Sequence, residues 1–298
     1  MHPFAARATR AIYRKEALPP RVLWWMAASG MRDWLRIVAR GLKPHLGDAA
    51  KPRVASVTAR MLRRRYDQLR LRSPSLPSAE SEPRALALVM GALYRMHTDR
   101  RGAWLFGDVG GPPRDAREWW RAAQLVRPFG ARERWEEMTV HLGELLIVLT
   151  EDFETVPRGR KILGDICFES GARYGEQARR VFGLDRDPRF TSDPASLAIE
   201  VLRMTEYVFR VNPAHWGGTD RAANTGWLEG TACPWFSRPG WEPGHCGIFG
   251  QFQSGICSAF GLRYTLAKTI PKHGGDTCRV DLKPIAIRRA RDGAAIGG

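Results

Sequence analysis

Apolar residues recur at helical spacing through the first two-thirds of the chain. Trp135, Met138, Leu142, Leu145 and Leu149 follow one another at intervals of 3, 4, 3 and 4, which lines one face of a helix. His141 stands beside that stripe and reads as a half-buried structural histidine. Leu197, Val201, Met204 and Val208 form a second stripe, announced by Asp193 as a cap and Pro194 at the first helical position. Residues 22–42 and 54–71 read as helices joined at Lys43-Pro44, with Trp24, Trp25 and Trp34 packing onto their own domain. Residues 85–98 read as a helix. Residues 106–113 read as a turn, since Gly107-Asp108-Val109-Gly110-Gly111 lacks the Lys-Ser/Thr ending of a phosphate cradle. A helix is predicted over 159–182, where Gly164, Gly171 and Gly175 thin one face and admit a close neighbour. Its Cys167 reads as a small core residue.

Toward the C-terminus the period changes to two. Trp227, Thr231 and Cys233 share one parity in a strand-like stretch, and residues 251–260 read as a helix. Tyr264, Leu266 and Ile270 alternate with Arg263, Thr265 and Thr269. After the turn His273-Gly274-Gly275-Asp276, Cys278, Val280 and Leu282 alternate with Thr277, Arg279, Asp281 and Lys283. This predicts an antiparallel hairpin with Cys278 on the apolar face and Arg279 and Asp281 toward solvent. Helices early and strands late make the class α+β. The stretch Ser73-Pro74-Ser75-Leu76-Pro77-Ser78 reads as a linker. It divides a basic helical extension, 1–75, from an α+β ligand-binding or catalytic domain, 76–284, with a disordered tail over 285–298.

Composition narrows the function. The 298 residues are 44% hydrophobic and 26% charged, an ordinary globular balance. The longest apolar runs are far too short to span a bilayer, and no secretory signal is read, so a cytoplasmic protein is expected. The net charge of +16 is concentrated: residues 1–75 hold 17 Lys and Arg against 4 Asp and Glu. Arg60, Arg63, Arg64, Arg65, Arg70 and Arg72 lie on a helical segment whose apolar side is Met61, Leu62, Tyr66 and Leu69, and a solvated basic helix is preferred over a nucleic-acid interface. The five cysteines are Cys167, Cys233, Cys246, Cys257 and Cys278, an odd count that argues against a disulfide scaffold. Four of them fall between Cys233 and Cys278, which directs attention to metal ligation or thiol chemistry.

The run from Cys246 through Ser254, Gly255, Cys257 and Phe260, followed by Gly274-Gly275-Asp276-Thr277-Cys278, resembles the 4-vinyl reductase-type small-molecule-binding domain, in particular the sensing domain of aromatic-responsive activators. With Thr231-Ala232-Cys233-Pro234 upstream and a helical N-terminal half, the chain is more similar to the L-2-amino-thiazoline-4-carboxylic acid hydrolase family. The resemblance covers about residues 125–284. It implies hydrolysis of a C–N bond in a small, cyclic or aromatic molecule. The sensing domains hold a structural zinc through three cysteines and a glutamate, and Cys246 and Cys278 match two of those positions. Ala267-Lys268-Thr269-Ile270 supplies neither of the others, which leaves Cys233, Cys257, His245 and His273 as donors, Cys257 the weakest. The hydrolases carry Cys-x-x-Asp where this chain reads Cys246-Gly247-Ile248-Phe249, implying a divergent substrate.

Two mechanisms stay open. Either a thiolate, Cys246 or Cys233, attacks an electrophilic carbon while His245 or His273 moves the proton, or a metal on Cys233, Cys246 and Cys278 polarises water. Asp276 is either a base or a turn residue. The loop 215–220 borders a pocket in this reading, and Trp216, Trp227, Trp235, Trp241 and Phe249 supply walls for a flat heterocyclic or aromatic ligand. The rival expectation is a non-catalytic, sensor-like binding domain with a structural zinc. A homo-oligomer is left open, and the cofactor is zinc or none.

Overall fold

The computed structural model describes residues 3–285 apart from 213 and 232, so from residue 286 onward the tail expected to be disordered lies outside the described residues. In chain order the helices are α1 (Pro3–Arg14), α2 (Pro20–Leu46), α3 (Ala50–Arg72), α4 (Ala85–Leu93), α5 (Ala116–Leu125), α6 (Ala131–Phe153), α7 (Gly159–Phe182), α8 (Arg189–Ser192) and α9 (Pro194–Phe209). Strands β1 (His215–Asp220) and β2 (Thr225–Thr231) follow, then α10 (Pro243–Ser258), β3 (Leu262–Lys268), α11 (Ile270–His273) and β4 (Thr277–Pro284). The class is α+β. Among the described residues no helix is long and apolar enough to cross a membrane.

The helical stripes form as their spacing requires. Trp135, Met138, Leu142, Leu145 and Leu149 of α6 are all buried, and Asp193 caps α9 by accepting the Ser196 N–H at 3.1 Å. Three boundaries differ. No break occurs at Lys43-Pro44: α2 carries Pro44 in its last turn and ends at Gly47, whose φ is 56°. The helix expected over 85–98 stops at Leu93, because Arg95 takes a left-handed φ of 53°. Residues expected to form a loop from Phe106 instead complete a 3-10 turn, Arg100–Val109, closed by Gly110 at φ 96°.

One apolar cluster joins α2, α3, α4, α6 and α7 through residues such as Leu35, Leu62, Val89, Leu145 and Leu163. The Ser/Pro stretch at 73–78 is therefore a turn between helices that share a core. The basic face of α3 is solvated in part, with Arg63, Arg64 and Arg72 exposed, but most of its charge is paired. Arg53 and Arg60 bind Asp152 at 2.5 and 2.9 Å, Arg64 binds Glu151 at 3.1 Å, and both Arg65 and Arg72 bind Glu137. The acidic residues of α6 pair with these guanidiniums and neutralise much of the charge of α3. Sequence spacing cannot reveal this neutralisation, since the partners lie 65 to 99 residues away.

A second cluster packs α9, α10 and the end of α7 on the sheet, with Leu197, Val201, Ile256, Leu262 and Leu282 at its centre. The sheet is antiparallel throughout, in the order β1-β2-β4-β3. The expected C-terminal hairpin is β3 with β4, its connection carrying the short α11. The glycine face of α7 meets α10: a Cβ on Gly171 would lie 1.9 Å from the Phe252 carbonyl oxygen, and one on Gly175 2.9 Å from that of Ile256. These two helices touch backbone to backbone.

Candidate functional site

Paired residues in neighbouring antiparallel strands share a face. His215 pairs with Gly230, and Gly230 with Cys278, so the three stand in one row across β1, β2 and β4. At ~4.8 Å per strand, the backbones of His215 and Cys278 are roughly 10 Å apart. Gly230 contributes no side chain between them, and Asn212 occupies the space: a Cβ on Gly230 would meet Asn212 Cγ at 2.5 Å.

Above this row α9 places Glu206, only 3% exposed. Its Oε2 lies 3.3 Å from His215 Nδ1, near enough for an ion pair but out of line for a hydrogen bond. Its Oε1 accepts the Gln253 Nε2–H at 2.9 Å, and the Tyr264 hydroxyl donates to Gln253 Oε1. Burial, reinforced by Glu206 and the nearby thiols, pushes the Tyr264 hydroxyl well above its ordinary pKa, so it stays a donor. On its other side His215 Nε2 is 3.6 Å from Glu16 Oε1. His215 borders a cavity of about 280 Å³, where Glu16, Trp135, Tyr207, Arg210 and Asn212 form other walls. Both imidazole nitrogens and Glu206 Oε2 are buried without an aligned hydrogen-bond partner, a polar capacity that a bound molecule can take up.

The thiols lie beside this group. Cys233, Cys246 and Cys278 are within electrostatic reach of one another, and Cys278 also feels Glu206. Burial raises all three. Cys233 is pushed up to about 11, against the Trp235 and Phe236 backbone N–H groups. Cys246 rises despite the Trp241 indole. Cys278 rises despite the Ile270 N–H, 3.3 Å from its sulfur, and the Lys268 ammonium. None is a thiolate at neutral pH. Cys257 is fully buried in the second apolar cluster, and burial alone drives its thiol far up. It stands 11 residues beyond Cys246 on the same helix, about 16 Å along the axis.

Among the described residues no group of three or more His, Cys, Asp or Glu stands where it could hold a metal ion. The donors present do not fit a zinc site.

His245 caps α10 instead of serving Cys246. Its Nδ1 accepts the Glu242 N–H at 3.0 Å, and its ring stacks on Trp241 with centroids 5.1 Å apart. Burial lowers its pKa, so the ring is neutral. His273 accepts the Thr269 N–H in the same way, at 3.0 Å, and Asp276 is exposed in the turn before β4. Of the aromatic residues, Trp235 is fully buried against Gly143, its indole donating to the Thr139 carbonyl at 2.9 Å. Phe249 packs edge-on against it at 5.4 Å. Trp216 and Trp227 lie on the outer sheet face, away from α9: Trp216 is 43% exposed, and Arg279 stacks over Trp227 at 4.8 Å. Trp227, expected as a pocket wall, is therefore off the α9 side of the sheet; the buried parity of β2 is Gly226, Leu228 and Gly230.

Sequence reasoning missed Glu206, Gln253, Tyr264 and Asn212 as site residues, and it read 215–220 as a loop. One signal was present: Glu206 follows Leu202 by four residues and so interrupts an apolar face of α9. No protein-family model, curated protein or solved structure matches the chain.

Proposed function

We propose that this protein is a hydrolase that cleaves a C–N bond in a small cyclic or aromatic molecule, with His215 and Glu206 as its proton-transfer pair. The observation that carries this reading is the buried Glu206 carboxylate 3.3 Å behind His215, at the wall of a cavity. A carboxylate behind an imidazole sets the ring's orientation and stabilises the imidazolium that forms when it takes a proton. Such contacts are often loose without substrate and tighten when it binds. Water is the nucleophile in this reading, because burial keeps Cys233, Cys246 and Cys278 protonated. His215 takes the proton from water as it attacks the C=N or amide carbon, and returns it to the departing nitrogen. Arg210 and Asn212, at the same cavity, supply donors for an anionic or carbonyl group on the substrate. Trp135 and Tyr207 offer flat apolar contact.

The test is product formation from a panel of cyclic amidines and lactams, 2-amino-thiazoline-4-carboxylate among them. For a substrate that is turned over, His215→Gln should lower kcat by about 100-fold or more, with KM little changed. Glu206→Gln should lower kcat by a smaller factor, and Cys246→Ala should retain turnover. Full activity in His215→Gln would refute the assignment. Saturable binding without product from any of the panel would place the protein among non-catalytic binding domains.

A further inference from the structure

A second cavity, remote in sequence from β1, lies where α1 meets the C-terminal end of α7. Its volume is about 430 Å³, within the range of small-molecule sites. Five guanidiniums border it: Arg7, Arg10, Arg179, Arg180 and Arg186. Two carboxylates face them, Asp185 and Asp187, and both are already engaged. Asp185 binds Arg179 at 2.8 Å, while Asp187 binds Arg10 at 2.8 Å and Arg189 at 2.9 Å. Arg10 is further tied to Glu200. The Arg189 and Arg10 contacts hold the Asp187 carboxyl far below the usual range, so it keeps its charge. Arg7, Arg180 and Arg186 have no carboxylate partner among the described residues. Phe182 and Pro188 add apolar surface between the charges.

We infer that this cleft binds an anion bearing phosphate groups. Three uncommitted guanidiniums around one cavity exceed what a single carboxylate can satisfy. Their planar forks match the oxygens of phosphate, which offers several acceptors and up to two charges per group. The C-terminal end of α7 points its partial negative charge, about half an electron, toward the same region. Five guanidiniums against two carboxylates at the cleft outweigh that partial charge. The paired arginines serve as a frame: Arg10 and Arg179 are fixed by their carboxylates, and Arg7, Arg180 and Arg186 are left to close on the ligand. A soluble phosphate compound and a phospholipid headgroup present the same chemistry.

The experiment uses the full chain, with inorganic pyrophosphate as the soluble probe and vesicles containing phosphatidic acid as the lipid probe. Calorimetric titration at about 0.15 M salt, where long-range attraction is screened within ~8 Å, should give saturable binding of one of the two. The variant Arg180→Gln/Arg186→Gln should weaken it roughly tenfold per arginine removed, with circular dichroism unchanged because both residues are exposed. A control of equal charge, Arg40→Gln/Lys43→Gln in the basic cleft along α2, should leave binding as in the wild type. Pyrophosphate binding that follows this pattern identifies a soluble ligand; vesicle binding alone that follows it identifies a headgroup. Binding of neither probe, or equal weakening by the control, overturns the inference.

Discussion

Replacing Glu137 by alanine is expected to destabilise the protein by about 3–5 kcal/mol, the usual cost of removing one partner from a buried ion pair. Glu137 is 5% exposed and Arg65 2%, and the two are in direct contact between α6 and α3. His141, fully buried, lies 3.3 Å from the same carboxylate, and its Nδ1 is 3.0 Å from the Tyr94 hydroxyl. Without Glu137 the Arg65 charge has no counter-ion in the core, where its desolvation is no longer offset. Burial alone would raise the Glu137 carboxyl, yet the His141 and Arg65 contacts hold it far below the usual range. Burial lowers His141 more than Glu137 raises it, so the ring is neutral. The sign for acid is the same for both groups. Below about pH 6.5 for the histidine and about 4.3 for the carboxylate, the unfolded chain binds more protons than the folded one. Stability is therefore fully present above these values and is lost as pH falls toward the depressed folded ones. Urea unfolding of wild type and Glu137→Gln between pH 7 and pH 3 should show a shallower loss in the variant. Equal slopes, or an alanine variant as stable as wild type, would show that the pair is not what joins α3 to α6.

Gly171→Ala should be about as damaging. The added methyl would sit 1.9 Å from the Phe252 carbonyl oxygen, and a backbone atom cannot move aside as a side chain tip can. The α7–α10 contact must open, at a cost at or above the upper end of the ~1–3 kcal/mol typical of overpacking. The reciprocal position behaves alike, since a Cβ on Gly255 would lie 2.1 Å from the Phe168 carbonyl oxygen. Gly164→Ala is the internal control. There the new methyl meets only Gln251 Cγ at 3.5 Å, so the substitution should be neutral or gain up to ~1 kcal/mol from helix propensity. A melting temperature for Gly171→Ala within a degree of wild type would disprove the backbone contact. The effect also reaches the proposed site, because α10 carries Gln253, which binds Glu206.

The periodic part of this chain was legible. The stripes of α6 and α9, the glycine face of α7 and the β3–β4 hairpin all follow from spacing, because each element buries one face and its apolar residues mark it. Residues around β2 read as strand-like, but β1 and its pairing with β2 were hidden for a specific reason. Its buried positions include Gly226 and Gly230, where Ile199, Ala195 and Asn212 press close, so the large-apolar alternation that announces a strand is absent. The beginning of α10 was hidden likewise by Pro243, Gly244 and Gly247, although proline suits a first turn.

The candidate chemistry divides along the same line. Cysteine clustering singled out Cys233, Cys246 and Cys278, and the fold brings them within electrostatic reach. It could not show that burial keeps them protonated, nor that His245, adjacent to Cys246 in sequence, turns to cap its own helix. By itself the sequence determined the long helices, the β3–β4 hairpin and the faces that they bury, because those depend on neighbours a few residues apart. Only the tertiary structure decided which charges meet. Arg65 finds Glu137 and Glu206 finds His215 through the packing of separate elements that lie far apart in the chain.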